Sequence, residues 1–293
     1  MDKYKRSLLL IKSNLLRWKK DARVWMTAIL ILCLFLRYFS GLTRFGLEHG
    51  TKITPCLLPI VFTDSNVSNG LCKVLVTLGM ISIFADAPFM DDQTPYLLIR
   101  TRRKSWWIGE CGYLWAASFI YLLYLTLVSI LVVLPTVSFT DLWGGTLRYM
   151  TNPSTTDITK YEYLRSLLLP DTVIHVLYPS AAQLFSFTAA WLSYVFLGHL
   201  IYFVNLRTRQ KVWGVLAAVF FVMLDPIAVY FGRDWLVAIS PMTWISIEFW
   251  SILGYGHPLS PYAVYGTFAI LIALMTVLIG VSSRRIPIET MSD

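Results

Sequence analysis

FADAPFMDDQTPYLLIRTRRKSWW, residues 84–107, lies between two long apolar runs, and its reading decides how the rest of the chain is organised. Thr94-Pro95 makes a good helix start: a threonine at the N-cap, proline at the first helical position, and Asp91 and Asp92 near the positive helix end. Tyr96, Leu97, Leu98 and Ile99 give a short apolar face. Arg100, Arg102, Arg103 and Lys104 close the helix, where cations suit its negative end. Trp106 and Trp107 mark the interface at which a membrane helix begins. Read alone, the stretch fits an ordinary positive-inside loop as well as a short helix that docks into a cytoplasmic partner.

The composition sets the solvent. Of 293 residues 56% are hydrophobic and only 14% charged, with a mean hydropathy of +0.61. Soluble domains carry about a quarter charged residues. An all-α polytopic membrane protein follows. The net charge of +8 is distributed as membrane topology requires and is not a sign of nucleic-acid binding.

Six spans are expected, near residues 24–42, 64–85, 106–134, 181–206, 212–231 and 262–281, each close to the ~20 residues a bilayer core needs. Six spans put both termini on one side. The inner segments then hold eight basic residues before the first span, four in Arg100–Lys104, three in Arg207–Lys211 and two at Arg284–Arg285. These are 17 of the 25 Lys and Arg, as the positive-inside rule asks. The first apolar run contains Arg37 and is followed by no small-residue cleavage site, so it is expected to stay as an anchor.

Residues 1–23 read as a cytoplasmic amphipathic helix. Leu8, Ile11, Leu15 and Trp18 recur at spacings of three and four, with Leu9, Leu10 and Leu16 blurring the stripe. Such a helix would lie on the inner leaflet, stripe in the lipid and cations at anionic headgroups. Residues 24–293 form one six-helix transmembrane domain. On the outer side Pro55 and Pro59 break a short apolar run, residues 136–178 make a long loop with a short helix expected over Tyr161–Leu169, and residues 232–260 read as short broken helices dipping into the outer leaflet. Asp64-Ser65-Asn66 offers N-cap residues for the second span, and Pro226 is expected to kink the fifth.

Chemistry is sparse. There is no GxxxxGK[ST] loop, no HExxH and no GxSxG elbow. The four histidines (His49, His175, His199, His257) are far apart, and Cys33, Cys56, Cys72 and Cys111 show no metal-ligand spacing; Cys56 and Cys72 lie close enough to the outer face to pair, although unpaired apolar residues are the simpler reading. Neither a catalytic site nor a metal site is expected. Within the spans the ionisable residues are Arg37, Lys73, Glu110, His199 and Asp225, and all but His199 fall near an interface. Asp225 is open to pairing with Arg37 or Arg233 at the outer edge. Ion-coupled carriers usually place acids or histidines near the midplane, so that mechanism is unattractive here.

The basic N-terminal helix, the helical loop after span two, the broken element before span six and the motifs FADAPFMDDQTPYLLIRTRRKSWW and SPMTWISIEFW together resemble the membrane subunit of bacterial ATP-binding-cassette type-2 exporters, Gram-positive type, over nearly the full length. The loop after span three is longer than such proteins usually carry. The resemblance implies a permease in the bacterial plasma membrane and no enzyme in this chain. Thr94–Arg103 would be the helix that couples it to cytoplasmic ATPase subunits, which would bind ATP and magnesium. A second permease subunit, identical or related, would complete the pore, and an amphiphilic or hydrophobic cargo (a peptide, lipid or drug-like compound) would move by alternating access. Two other readings stay open: a non-transporting sensor or immunity subunit of the same fold, and an intramembrane lipid-modifying enzyme.

Overall fold

The computed structural model describes residues 3–64, 67–88, 103–151, 169–232, 234–254 and 259–283. Five helices in it are long and apolar enough to cross a membrane: α2 (Ala22–His49), α5 (Arg103–Val133), α8 (Pro179–Thr208), α9 (Lys211–Phe231) and α11 (Pro261–Ser282). A further apolar helix, α4 (Val67–Phe84), is shorter. The chain is thus a multi-pass membrane protein. Short helices fill the connections: α1 (Lys3–Arg17) at the start, α3 (Leu58–Val61), α6 (Gly144–Thr151), α7 (Asp171–Val176) and α10 (Asp234–Ile239).

Local chemistry sets the helix ends. Asp21 caps α2 by accepting from the Arg23 amide at 2.9 Å, and Gly50 closes the helix with φ +64°, a conformation glycine adopts without a Cβ penalty. Pro135 ends α5 in a single 3₁₀ turn. Pro179 opens α8, and Asp141 accepts from the Ser180 amide and hydroxyl at 3.0 and 2.9 Å. Helix α9 continues through Pro226 to Phe231.

Helix α8 is the axis. Its apolar window is 67% buried, against 28% for α2, α9 and α11, so it is surrounded where they are peripheral. It packs on α11, α9, α5 and α4. Small residues at spacings of four, three and four (Ala182, Ser186, Ala189, Ser193) make one narrow buried face of α8 along which a neighbour can approach closely. The helices alternate in direction. At one end of the bundle, here called basal, the starts of α2 and α9 meet the chain leaving α4 and the last turns of α8. At the other, distal end, the Thr43 hydroxyl near the close of α2 meets the Val132 carbonyl near the close of α5 at 3.3 Å. Ile53 there pairs with the chain at Thr136 and Ser138.

Helix α1 divides the expected stripe. Leu8 faces outward with Leu9 and Leu16, whereas Ile11, Leu15 and Trp18 are half-buried, the last two packed against the core. The buried face is Ser7, Leu10 and Asn14. It docks on α5 through Ser7 Oγ to Ser105 O (3.1 Å), Asn14 Nδ2 to Glu110 Oε1 (3.0 Å) and Trp18 Nε1 to Tyr113 Oη (2.8 Å). Glycines on α5 permit this closeness: a Cβ at Gly109 would stand 2.9 Å from Leu10 Cβ, and one at Gly112 would stand 2.6 Å from Ile11 Cδ1.

Of the distal segment between α9 and α11 the structure describes residues 232, 234–254 and 259–260, and the described part is irregular. It is the six-residue α10 followed by three 3₁₀ turns at Thr243–Ile245, Ile247–Phe249 and Ser251–Leu253. Irregular backbone at membrane depth survives only where protein covers it. Here Met242 to Ile247 are buried, Trp244 meets Phe268 edge-on at 5.1 Å, and Trp250 lies 5.6 Å from Phe185 and 5.7 Å from Tyr265. The indole N–H groups donate to Ala238 O and Trp244 O at 3.0 Å each. The helix expected over Tyr161–Leu169 lies outside the described residues except for Leu169, as do Ser65 and Asn66.

Replacing Gly109 by leucine should lift α1 from α5 and lower stability by about 1–3 kcal/mol, the usual cost of overpacking. Thermal unfolding in detergent reads this, with Ile108→Leu, at an exposed position of the same helix, predicted to leave the midpoint unchanged.

Candidate functional site

Lys73 sits in the second turn of α4 with no exposed surface. A buried ammonium is costly unless each of its protons finds an acceptor and its charge a partner. Lys73 Nζ donates to Asp64 Oδ2, to Asp225 Oδ1 at 2.8 Å and to Ser246 Oγ at 2.9 Å; Asp225 Oδ2 lies 2.7 Å away. Ser246 Oγ also lies 2.7 Å from both Phe62 O and Asp64 Oδ2. The Thr243 hydroxyl donates to Asp225 Oδ1 at 2.9 Å. Glu248 completes the group, accepting from the Thr63 hydroxyl at 2.6 Å and from the Asp64 amide. Burial pushes the Glu248 carboxyl above its ordinary value, and the neighbouring Asp64 carboxylate adds to the effect.

Four separate pieces of chain therefore meet at one amine: the segment before α4, α4 itself, the distal part of α9 and the 3₁₀ segment before α11. Asp225 pairs with Lys73, not with Arg37, which is exposed on α2. Arg233 lies outside the described residues. No sequence pattern joins Asp64, Lys73, Asp225 and Ser246. The legible signal was a lone lysine in an apolar run, which must find a carboxylate somewhere in the fold.

A second polar knot closes the basal end. Asn205 in α8 donates from Nδ2 to Ala85 O at 3.2 Å and Ala87 O at 2.7 Å, and its Oδ1 accepts from the Gly214 amide of α9 at 2.9 Å. Any Cβ at Gly214 would collide with the Asn205 carboxamide. Asp86 pairs with Arg23 of α2 and lies 3.9 Å from Lys211 of α9.

Of the sequence-derived site, Thr94, Pro95, Tyr96, Leu97, Leu98, Ile99, Arg100 and Arg102 lie outside the described residues, and Arg103 begins α5. His199 is buried in α8 with Nδ1 2.8 Å from Val195 O, the geometry of a packing histidine. The four cysteines are unpaired, and among the described residues no three potential metal ligands cluster.

Comparison with protein-family models, curated proteins and solved structures yields no match for this chain.

Lys73→Met should destabilise the protein by about 3–5 kcal/mol, because it strands carboxylates in a buried site. Adding Asp225→Asn to it should recover part of that loss. A double-mutant cycle by thermal or denaturant unfolding measures the coupling; additive losses would contradict a bonded pair.

Proposed function

We propose that this chain is the membrane subunit of an ATP-driven exporter of the ATP-binding-cassette type-2 kind, with six spans, both termini in the cytoplasm and the basal end facing the ATPase subunits. The observation that carries the reading is the basal knot. The chain entering the connection between α4 and α5 is tied at Ala85 and Ala87 to Asn205 of α8, and at Asp86 to Arg23 of α2 and Lys211 of α9. A force applied to residues 94–103 would reach several helices at once. The site that receives work from a partner needs this connectivity, and an ordinary loop does not.

The distal network supplies the other half of a two-state device. Inward- and outward-facing states require the distal segment to leave or rejoin the bundle, and a buried ion pair is bistable in the required sense: formed or broken, with little between. The chain shows no P-loop motif, so the work would come from cytoplasmic subunits that bind ATP and magnesium. A second permease subunit, identical or related, would lie beside this one in the plane of the bilayer, and an amphiphilic or hydrophobic cargo would pass along the interface between them.

Substituting Leu97, Leu98 and Ile99 together by aspartate should abolish cargo-stimulated ATP hydrolysis and transport in the reconstituted complex, while the protein still inserts. Asn205→Leu should weaken coupling, read as ATP hydrolysed per cargo moved, more than it weakens ATPase binding. Coupling equal to wild type in the triple aspartate variant would overturn the docking role. Substrate turnover by the purified chain without any ATPase would instead favour the membrane enzyme.

A further inference from the structure

Where α1 turns into α2, an open groove of about 260 Å³ lies between α1, α2, α4 and α5. Trp18, Val24, Trp25, Ala28, Ile120 and Tyr124 form much of its wall, and its accessible lining is almost wholly apolar. Apart from Lys19 at the rim, the polar atoms of the lining side chains are engaged within the protein. Trp18 Nε1 donates to Tyr113 Oη at 2.8 Å, Tyr121 Oη to Val76 O and Tyr124 Oη to Ala28 O at 2.6 Å each, Trp25 Nε1 to Lys19 O at 3.3 Å, and Thr27 Oγ1 lies 2.9 Å from Ser82 Oγ. The interior therefore offers an occupant no polar partner and fits a hydrocarbon.

The rim differs. Lys19 lines the groove and is exposed, with exposed Lys20 beside it, and neither has a carboxylate partner among the described residues. Exposed Lys12 adds charge on the adjoining helix. Arg23 is excluded from this count because Asp86 holds it. An apolar slot bordered by unneutralised cations, at the junction of a surface helix and a helix long enough to cross a membrane, matches one molecule in its two parts: an acyl chain and a negatively charged headgroup.

We infer that this groove is a binding site for an anionic glycerophospholipid, one acyl chain lying against Trp25, Ala28 and Tyr124 and the headgroup phosphate over Lys19 and Lys20. The inference is independent of the transport reading, since it needs only this chain and a bilayer. Trp25, 58% exposed, then gains a lipid contact on the face it turns from the protein. The bound lipid also wedges α1 against α5, coupling membrane composition to the seating of the N-terminal helix.

The test uses the full chain in nanodiscs, doped at equal mole fraction with phosphatidylglycerol or phosphatidylcholine carrying a photoreactive diazirine in the acyl chain. Peptide mass spectrometry compares labelling of residues 24–28 and 120–124 with that of Ile270, Leu274 and Val277, exposed on α11 and serving as the bulk-lipid reference. Phosphatidylglycerol should exceed phosphatidylcholine in the groove by about fivefold, from the attraction of a cation for an anionic lipid, and equal it on α11. Lys19→Gln with Lys20→Gln, both surface changes, should erase that preference, and Ala28→Trp should remove groove labelling by both lipids. Equal labelling by the two lipids, a preference that survives the glutamine variants, or crosslinks across the groove to a second copy of the chain would each overturn the proposal.

Discussion

One ammonium group holds the distal half of this protein together. Lys73 is buried in an apolar environment where an isolated charge is prohibitive, and its stability there depends on Asp64 and Asp225 arriving from different parts of the chain. That requirement fixes the register of α4 against α9. It also fixes the segment from Thr243 to Glu248, whose hydroxyls and carboxylate join the same group. The irregular 3₁₀ turns, which have few internal hydrogen bonds, are supported by this network and by the indoles of Trp244 and Trp250 packed on α8 and α11.

The bundle has a comparable constraint at its other end, built from the buried, uncharged Asn205 carboxamide and the more exposed Asp86–Arg23 pair. Asn205 spends both ends of its carboxamide on backbone groups of neighbouring segments, and Gly214 leaves room for it. Between the two fastenings runs α8, which packs small residues against its neighbours and is hydrogen-bonded to them along its length: Gln183 Oε1 accepts from the Leu58 amide at 3.1 Å, Trp191 Nε1 donates to Trp115 O at 3.1 Å, and Thr188 Oγ1 lies 2.6 Å from Tyr265 Oη.

The helices long enough to cross a membrane were legible because an apolar run of sufficient length between turn residues has few other fates. Their observed ends differ from the expected ones chiefly by extension: α2 runs on to His49, beyond the last strictly apolar turn, because Gly50 and not a change in polarity ends it. Pro241 and the charges of the distal segment make its break legible, yet its 3₁₀ form depends on tertiary hydrogen bonds that no local pattern encodes. Helix α1 was legible as amphipathic, but which face meets the protein was decided by Gly109 and Gly112, nearly a hundred residues away. The same applies to Asp225: a single carboxylate beside proline reads as an edge residue until α4 brings Lys73 to it.

We propose that the basal end, with α1 and the start of α5, faces the cytoplasm. In a chain whose four native thiols are replaced by alanine, single cysteines at Lys104→Cys and Lys52→Cys place one exposed probe at each end of the bundle. A membrane-impermeant maleimide applied to intact cells should label the position at 52 and reach the position at 104 only after the cells are opened. Labelling at 104 in intact cells, with 52 protected, would contradict the account at its root.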